Sequence, residues 1–271
     1  MTRAWQPWLA LILLLMPQAG LRAASVYAQE PQMEACRAWN QWEHEVREGK
    51  AEPHAARAAF RQLWPLVRLN QVPPPAAGRW QWVFPLPGYG FKDVAKKSYR
   101  GKGYSYYDGP HRLGHPGLDI FVHDKDHDCL DDRNHKPIPV VAAMDGLVVA
   151  TQPQWSPQDG NPEGVYVCIL DQEDGRFFVY ARLGRLKVAL GQQVAKGQVI
   201  GWVGRTGADV NHGPMRTHLH FQVHDFADGR FYTLNPLQGL RVSKSLAWPL
   251  PEPDYSKPCK GLPRPLTRAA H

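Results

Sequence analysis

No two of the four cysteines make a Cys-x-x-Cys pair, no apolar run is long enough to cross a membrane, and no segment of the 271 residues repeats another. The first absence excludes a zinc cluster built from cysteines, which needs closely spaced thiolate pairs. The second argues against an ordinary membrane-spanning helix, which takes ~20 apolar residues; the run from Trp8 to Met16 is far shorter, and a retained N-terminal anchor is the alternative to a cleaved leader. The third leaves no repeat array to consider. Asp, Glu, Lys and Arg make only 21% of the chain against 43% hydrophobic residues, with 10 Trp, a balance that excludes global disorder.

What is present begins with the layout of a secretory signal peptide over residues 1–28. Met1-Thr2-Arg3 precedes the apolar run, Pro17 and Gly20 break it, and Val26 and Ala28 suit the small-residue cleavage rule, so the mature chain is expected to start near Gln29. In an exported protein an even number of cysteines favours two disulfides. Of the three connectivities, the expected one joins Cys129 to Cys168 inside the main domain and Cys36 to Cys259 across the ends. The formal charge of +7 favours acidic surroundings such as cell-wall polymers, and it also serves solubility. A periplasmic or secreted location is expected, with no stable membrane span after signal removal and no nucleic acid as partner.

From Gln32 to about Asn70 the pattern is helical: Cys36, Trp39, Trp42 and Val46, then Ala56, Ala59, Phe60, Leu63 and Val67, recur at spacings of three and four around Gly49 and Pro53. A helical hairpin over residues 29–75 is the economical reading. Val72-Pro73-Pro74-Pro75 is a stiff boundary. Beyond it, Arg79 to Pro85, Val140 to Val149, Gly164 to Leu170, Phe177 to Ala181, Gln198 to Val203 and Leu219 to Val223 read as short strands. The fold class expected is mainly β, an antiparallel, sandwich-like sheet over residues 76–242 with the hairpin before it and a Pro-rich strap over 243–271. The hairpin's position raises the expectation that it covers a groove in the main domain as a latency device.

His115-Pro-Gly-Leu-Asp119 sets an imidazole and a carboxylate four positions apart, and Thr217-His218-Leu219-His220-Phe221 lies on a later strand. Residues two apart on a strand face the same side, so His218 and His220 enter one cleft together. Two His and one Asp form a donor set suited to zinc with a fourth position open, the mark of a catalytic rather than a structural metal. Taken alone, a His-x-His strand reads equally well as histidines paired with carboxylates on a solvated face.

The combination, His-x-x-x-Asp followed about a hundred residues later by His-x-His, resembles the lysostaphin-like zinc peptidases, which cleave peptide bridges of bacterial peptidoglycan. Val140 to Val149, Val188 to Gly201 and Gly204-Arg-Thr-Gly207 resemble further stretches of that family in its own order, and the likeness covers roughly Trp80 to Val242. The resemblance implies an antiparallel core with a groove, zinc on His115, Asp119 and His220, and His218 assisting the attacking water as base or oxyanion stabiliser. It implies an exported zinc metalloendopeptidase acting on peptidoglycan cross-link or stem peptides.

One departure stands out. Where the family carries a further histidine in Tyr-x-His-Leu, this chain reads Tyr180-Ala181-Arg182-Leu183. Arg182 cannot act as a base at ordinary pH, but its fixed charge suits an oxyanion or a substrate carboxylate. Three readings stand: an active peptidase with Arg182 in an electrostatic role, a peptidase whose missing group comes from His111 or His212, and a cell-wall-binding or regulatory module that keeps the metal site without cleaving. Asp124, Asp126 and Asp128 begin like a calcium loop, yet Cys129 and His135 stand where an EF-hand needs Gly and Glu. Tyr89, Tyr99, Tyr104, Tyr106 and Tyr107 are either contact faces for sugars or peptides, or packing residues.

Overall fold

The computed structural model describes residues 18–69, 81–111, 113–159, 161–171, 174–211, 214–227 and 230–248. Two helices lead, α1 (Gln18–Arg47) and α2 (Pro53–Leu69). The spacing read from the sequence is the buried stripe: Cys36, Trp39, Trp42 and Val46 on α1, and Ala56, Phe60 and Val67 on α2, are all at most 4% exposed. α1 stops where Gly49 takes a left-handed φ of +71° and donates its N–H to the Val46 carbonyl at 3.1 Å. α2 starts on Pro53, whose missing N–H is harmless in a first turn. Gln29, the expected mature start, falls inside α1; residues 1–17 lie outside the described residues.

Eleven strands follow: β1 (Gly117–Phe121), β2 (Leu130–Asp131), β3 (Lys136–Pro137), β4 (Pro139–Val141), β5 (Gly146–Gln152), β6 (Val165–Asp171), β7 (Phe177–Leu186), β8 (Gln193–Val194), β9 (Val199–Val203), β10 (His218–Ala227) and β11 (Arg230–Leu234). Short helices α3 (Ala208–Asn211) and α4 (Leu237–Val242) flank β10 and β11. Nine of the strands form one sheet in the order β1-β10-β7-β6-β5-β8, with β11 on β10 and β9 joining β7 to β4, while β2 and β3 pair separately. Every pairing between these strands is antiparallel, and with the N-terminal helices this is the fold class expected.

Alternation sorts the sheet into two cores. Val165, Val167 and Ile169 of β6, Phe178 and Tyr180 of β7, and Leu219, Phe221 and Val223 of β10 enter one of them. Tyr166, Cys168, Phe177, Val179 and Ala181 enter the other, which the helices cover. There the Trp39 ring stacks on Phe177 at 4.9 Å and 7°. Among the described residues the helices are thus a layer of the core, covering a sheet face.

Other expectations are corrected. Cys36, Cys129 and Cys168 are thiols, so Cys129 and Cys168 are not bridged. Alternation on β6 turns Cys168 toward the helices, whereas the Cys129 N–H is held at 3.1 Å by Asp124, whose carboxylate binds Thr217 just before β10. Cys259 lies outside the described residues. The stretch 140–149 is two strands, because β4 pairs with β9 while β5 pairs with β6 and β8. In residues 81–85 only Val83 forms a bridge, parallel to Lys244. The strap's start, residues 243–248, runs beside 82–88 through Lys244 N–H to Trp82 O (2.7 Å) and Gly88 N–H to Leu246 O (2.9 Å). Strands β1, β2, β3, β8 and β11 lie outside the segments that read as strands from the sequence.

Candidate metal centre

Strand register joins the two halves of the site. β1 lies antiparallel to β10 with Asp119 opposite His220 and Phe121 opposite His218, and β7 on the other side sets Ala181 opposite His220. Opposed residues share a face, so Asp119, His218 and His220 lie together on the face that the helices cover further along. His115 stands two residues before β1, fixed by a bridge to Arg100.

Asp119 Oδ1 is the hub. His220 Nδ1 lies 2.9 Å from it, His115 Nε2 3.3 Å and His218 Nε2 3.5 Å. Backbone carbonyls decide which nitrogen two of the rings turn inward. His115 Nδ1 donates to Gly117 O at 2.9 Å and His218 Nδ1 to Arg216 O at 2.8 Å, which turns Nε2 of each toward Asp119 and, in the neutral ring, leaves it as a lone pair. His220 is oriented the other way, with Nδ1 toward Asp119 and Nε2 toward Glu163 Oε2 at 3.9 Å.

Burial opposes ionisation of Asp119, yet hydrogen bonds from His115 and His220 and the charges of the neighbouring rings hold its carboxyl well below the usual range. Burial presses His220 down against the pull of Asp119, and presses His218 down to about 4, with Arg182 adding to the effect. His115, with 22% of its side chain exposed, is pushed up by its hydrogen bond and charge interaction with Asp119 in spite of burial. The site is therefore anionic at its centre; burial favours the neutral form of His218 and His220, the form in which imidazole binds a metal, whereas Asp119 favours the charged form of His115.

The donor atoms of His115, Asp119 and His220 lie within 4.8 Å of one another, close enough for one cation. Two imidazole nitrogens and one carboxylate oxygen fit zinc, so a zinc ion fits the residues present. The site opens on the His115 side into a cavity of about 420 Å³ walled by His115, Asp159, Pro162, Glu163, Arg182 and His220.

The other candidates separate. Arg182 lines the cavity, at φ +67°, with its backbone N–H on Glu163 O at 3.1 Å and its guanidinium donating to Pro162 O. His111 is exposed at the end of a 3-10 turn and does not line the cavity; His212 lies outside the described residues. Asp124, Asp126 and Asp128 stand close enough to share a cation, but Asp124 is already bound by Thr217 (2.5 Å) and the N–H groups of Asp128 and Cys129. Tyr89, Tyr106 and Tyr107 are at most 5% exposed and pack in the cores, so they are not contact faces. Glu163 went unnoticed in the sequence, where Pro162-Glu163-Gly164 reads as a turn before a strand.

Comparison with known proteins places residues 115–233 in agreement with the family model of Peptidase family M23. Over 126 residues the chain is 31% identical to glycyl-glycine endopeptidase ALE-1 of Staphylococcus capitis, a match covering 45% of this chain and 28% of that protein. Lysostaphin of Staphylococcus simulans is also 31% identical over 126 residues, covering 45% and 21%. The matched part is thus about a quarter of these relatives' length. Among solved structures, the catalytic domain of lysostaphin from Staphylococcus simulans matches with TM-score 0.34 and 26% identity, covering 54% of this chain and 95% of that one. A putative glycyl-glycine endopeptidase lytM from Ruminococcus gnavus matches with TM-score 0.41 and 19% identity, covering 82% and 90%.

Proposed function

We propose that this chain, whose residues 115–233 match the model of Peptidase family M23, is an exported zinc metalloendopeptidase that hydrolyses peptide bonds in peptidoglycan cross-links or stem peptides. The observation that carries this reading is the convergence of His115 Nε2 and His220 Nδ1 on Asp119 Oδ1 at 3.3 and 2.9 Å, beside an open cavity. Export is supported by the signal-like leader, and among the described residues no helix is long and apolar enough to cross a membrane.

In this reading His115, Asp119 and His220 hold the zinc. Zinc supplies Lewis acidity toward a water and the scissile carbonyl when bound. His218 stays neutral because burial depresses it, and its inward Nε2 lone pair accepts the proton of the attacking water. Arg182 holds a fixed positive charge in the cavity wall, where it steadies negative charge developing on the carbonyl oxygen. Incubating the purified chain and zinc with peptidoglycan should release new peptide ends visible by mass spectrometry; no products under any metal condition would sink the enzyme reading.

The second reading, a cell-wall-binding or regulatory module that keeps its metal without turnover, is favoured by one feature. The Arg182 guanidinium is engaged with the Pro162 carbonyl, so the position lacks the imidazole of the family pattern. Arg182→His separates the two. If Arg182 works electrostatically, kcat should fall by about 10²-fold, the scale of losing one oxyanion donor. A rise in kcat would identify Arg182 as a loss and favour the module reading.

A further inference from the structure

We propose that Glu163 is a positioning residue for His220, held in place by Arg47 of α1, so that the helical layer takes part in shaping the metal centre. The proposal rests on the zinc-site reading above.

His220 directs Nδ1 at Asp119, which leaves Nε2 to face away from the donor cluster. Glu163 Oε2 stands 3.9 Å from that nitrogen, beyond hydrogen-bond length but within reach of a small shift of either side chain. A ligating histidine commonly turns its second N–H to a carboxylate, which fixes the ring and makes the bound nitrogen a stronger donor. Glu163 has the position for that role, because a His220 ring that binds the metal through Nδ1 carries its proton on Nε2, the nitrogen facing Glu163.

Glu163 is 2% exposed, and such a carboxylate needs a partner. Its Oε1 lies 3.4 Å from Arg47 Nη1. Arg47, also 2% exposed, sits between the Tyr106 and Tyr166 rings, its guanidinium carbon 5.3 and 4.6 Å from their centres, and is tied to Glu43 one turn earlier at 2.7 Å. The backbone fixes the carboxylate as firmly. Asn161 accepts the Glu163 N–H at 3.0 Å, Arg182 donates to the Glu163 carbonyl at 3.1 Å, and Gly164 turns sharply at φ +75° where a Cβ would meet Thr206 Oγ1 at 2.4 Å.

Zinc affinity, measured by competition with a chelator on the purified full chain, tests this without reference to turnover. Glu163→Gln keeps the shape and removes the charge, and should weaken zinc binding by about 10–100-fold. Arg47→Lys keeps the charge but loses the planar fork, and should weaken it in the same direction by less. Glu43→Gln is the structural control: it disturbs the same ion-pair cluster away from His220, so it should lower thermal stability while leaving zinc affinity near wild type. Folded Glu163→Gln with wild-type affinity, or equal losses of affinity in Glu163→Gln and Glu43→Gln, would overturn the positioning role alone. Wild type that binds no zinc would overturn the metal-centre reading together with it.

Discussion

Asp119→Ala should leave a folded protein that neither retains zinc nor cleaves. Asp119 Oδ1 is the point on which three imidazoles converge, and its carboxylate is the charged member of the donor set. Without it, His115 and His220 still face each other at 4.5 Å between ring centres, but a two-nitrogen site lacks the charge and the third ligand that hold zinc. The Lewis-acid contribution lost is several kcal/mol, so cleavage should fall by more than about 10³-fold. A circular dichroism spectrum like that of wild type would show that the loss is local. Asp119→Ala with full activity and stoichiometric zinc would contradict the assignment.

Trp39→Ala should destabilise the whole molecule by about 3–5 kcal/mol, the usual loss for a large buried aromatic. Trp39 is fully buried, stacks on Phe177 of β7, packs against Phe60 of α2 at 5.4 Å and donates its indole N–H to Glu43 at 3.1 Å. If the helices were a separable cover, truncating Trp39 would unfold them and leave the sheet's melting unchanged. As a layer of the core they should melt with the sheet in one transition, shifted down by on the order of 10 °C. A change below about 1 kcal/mol in denaturant midpoint would place the helices outside the cooperative unit.

The sequence is informative wherever one element carries its own signal. The spacing of Cys36, Trp39, Trp42 and Val46 marks the buried face of α1, and alternation in His218-Leu219-His220-Phe221 marks which side chains share a cleft. The likeness of His115, Asp119 and His220 to a zinc triad is legible because each motif is local, and the structure brings their donor atoms together.

What escapes the sequence depends on pairing between distant segments. β1 hides behind Pro116 and Gly117, residues that read as turn, and is a strand because β10 lies beside it. The expected Cys129–Cys168 bridge fails because the side on which Cys168 projects is a property of β6 in the sheet. The tyrosines before the site invite a role in binding, but Tyr106 and Tyr107 are buried under the helices, which no local pattern foretells. Glu163 and Arg47 stand 116 positions apart in the chain, and only the packing of α1 across β5 and β6 brings them together. The substitution of Arg182 for the family's histidine is the reverse case: plain in the sequence, it gains a physical setting from the cavity wall and the Pro162 carbonyl.

The central claim is that His115, Asp119 and His220 hold one zinc ion, and the metal content of purified protein tests it most directly. Elemental analysis should find one zinc per wild-type chain, and none, or only a small fraction, in His220→Ala dialysed alongside it. Equal, stoichiometric zinc in both proteins would contradict the ligand assignment.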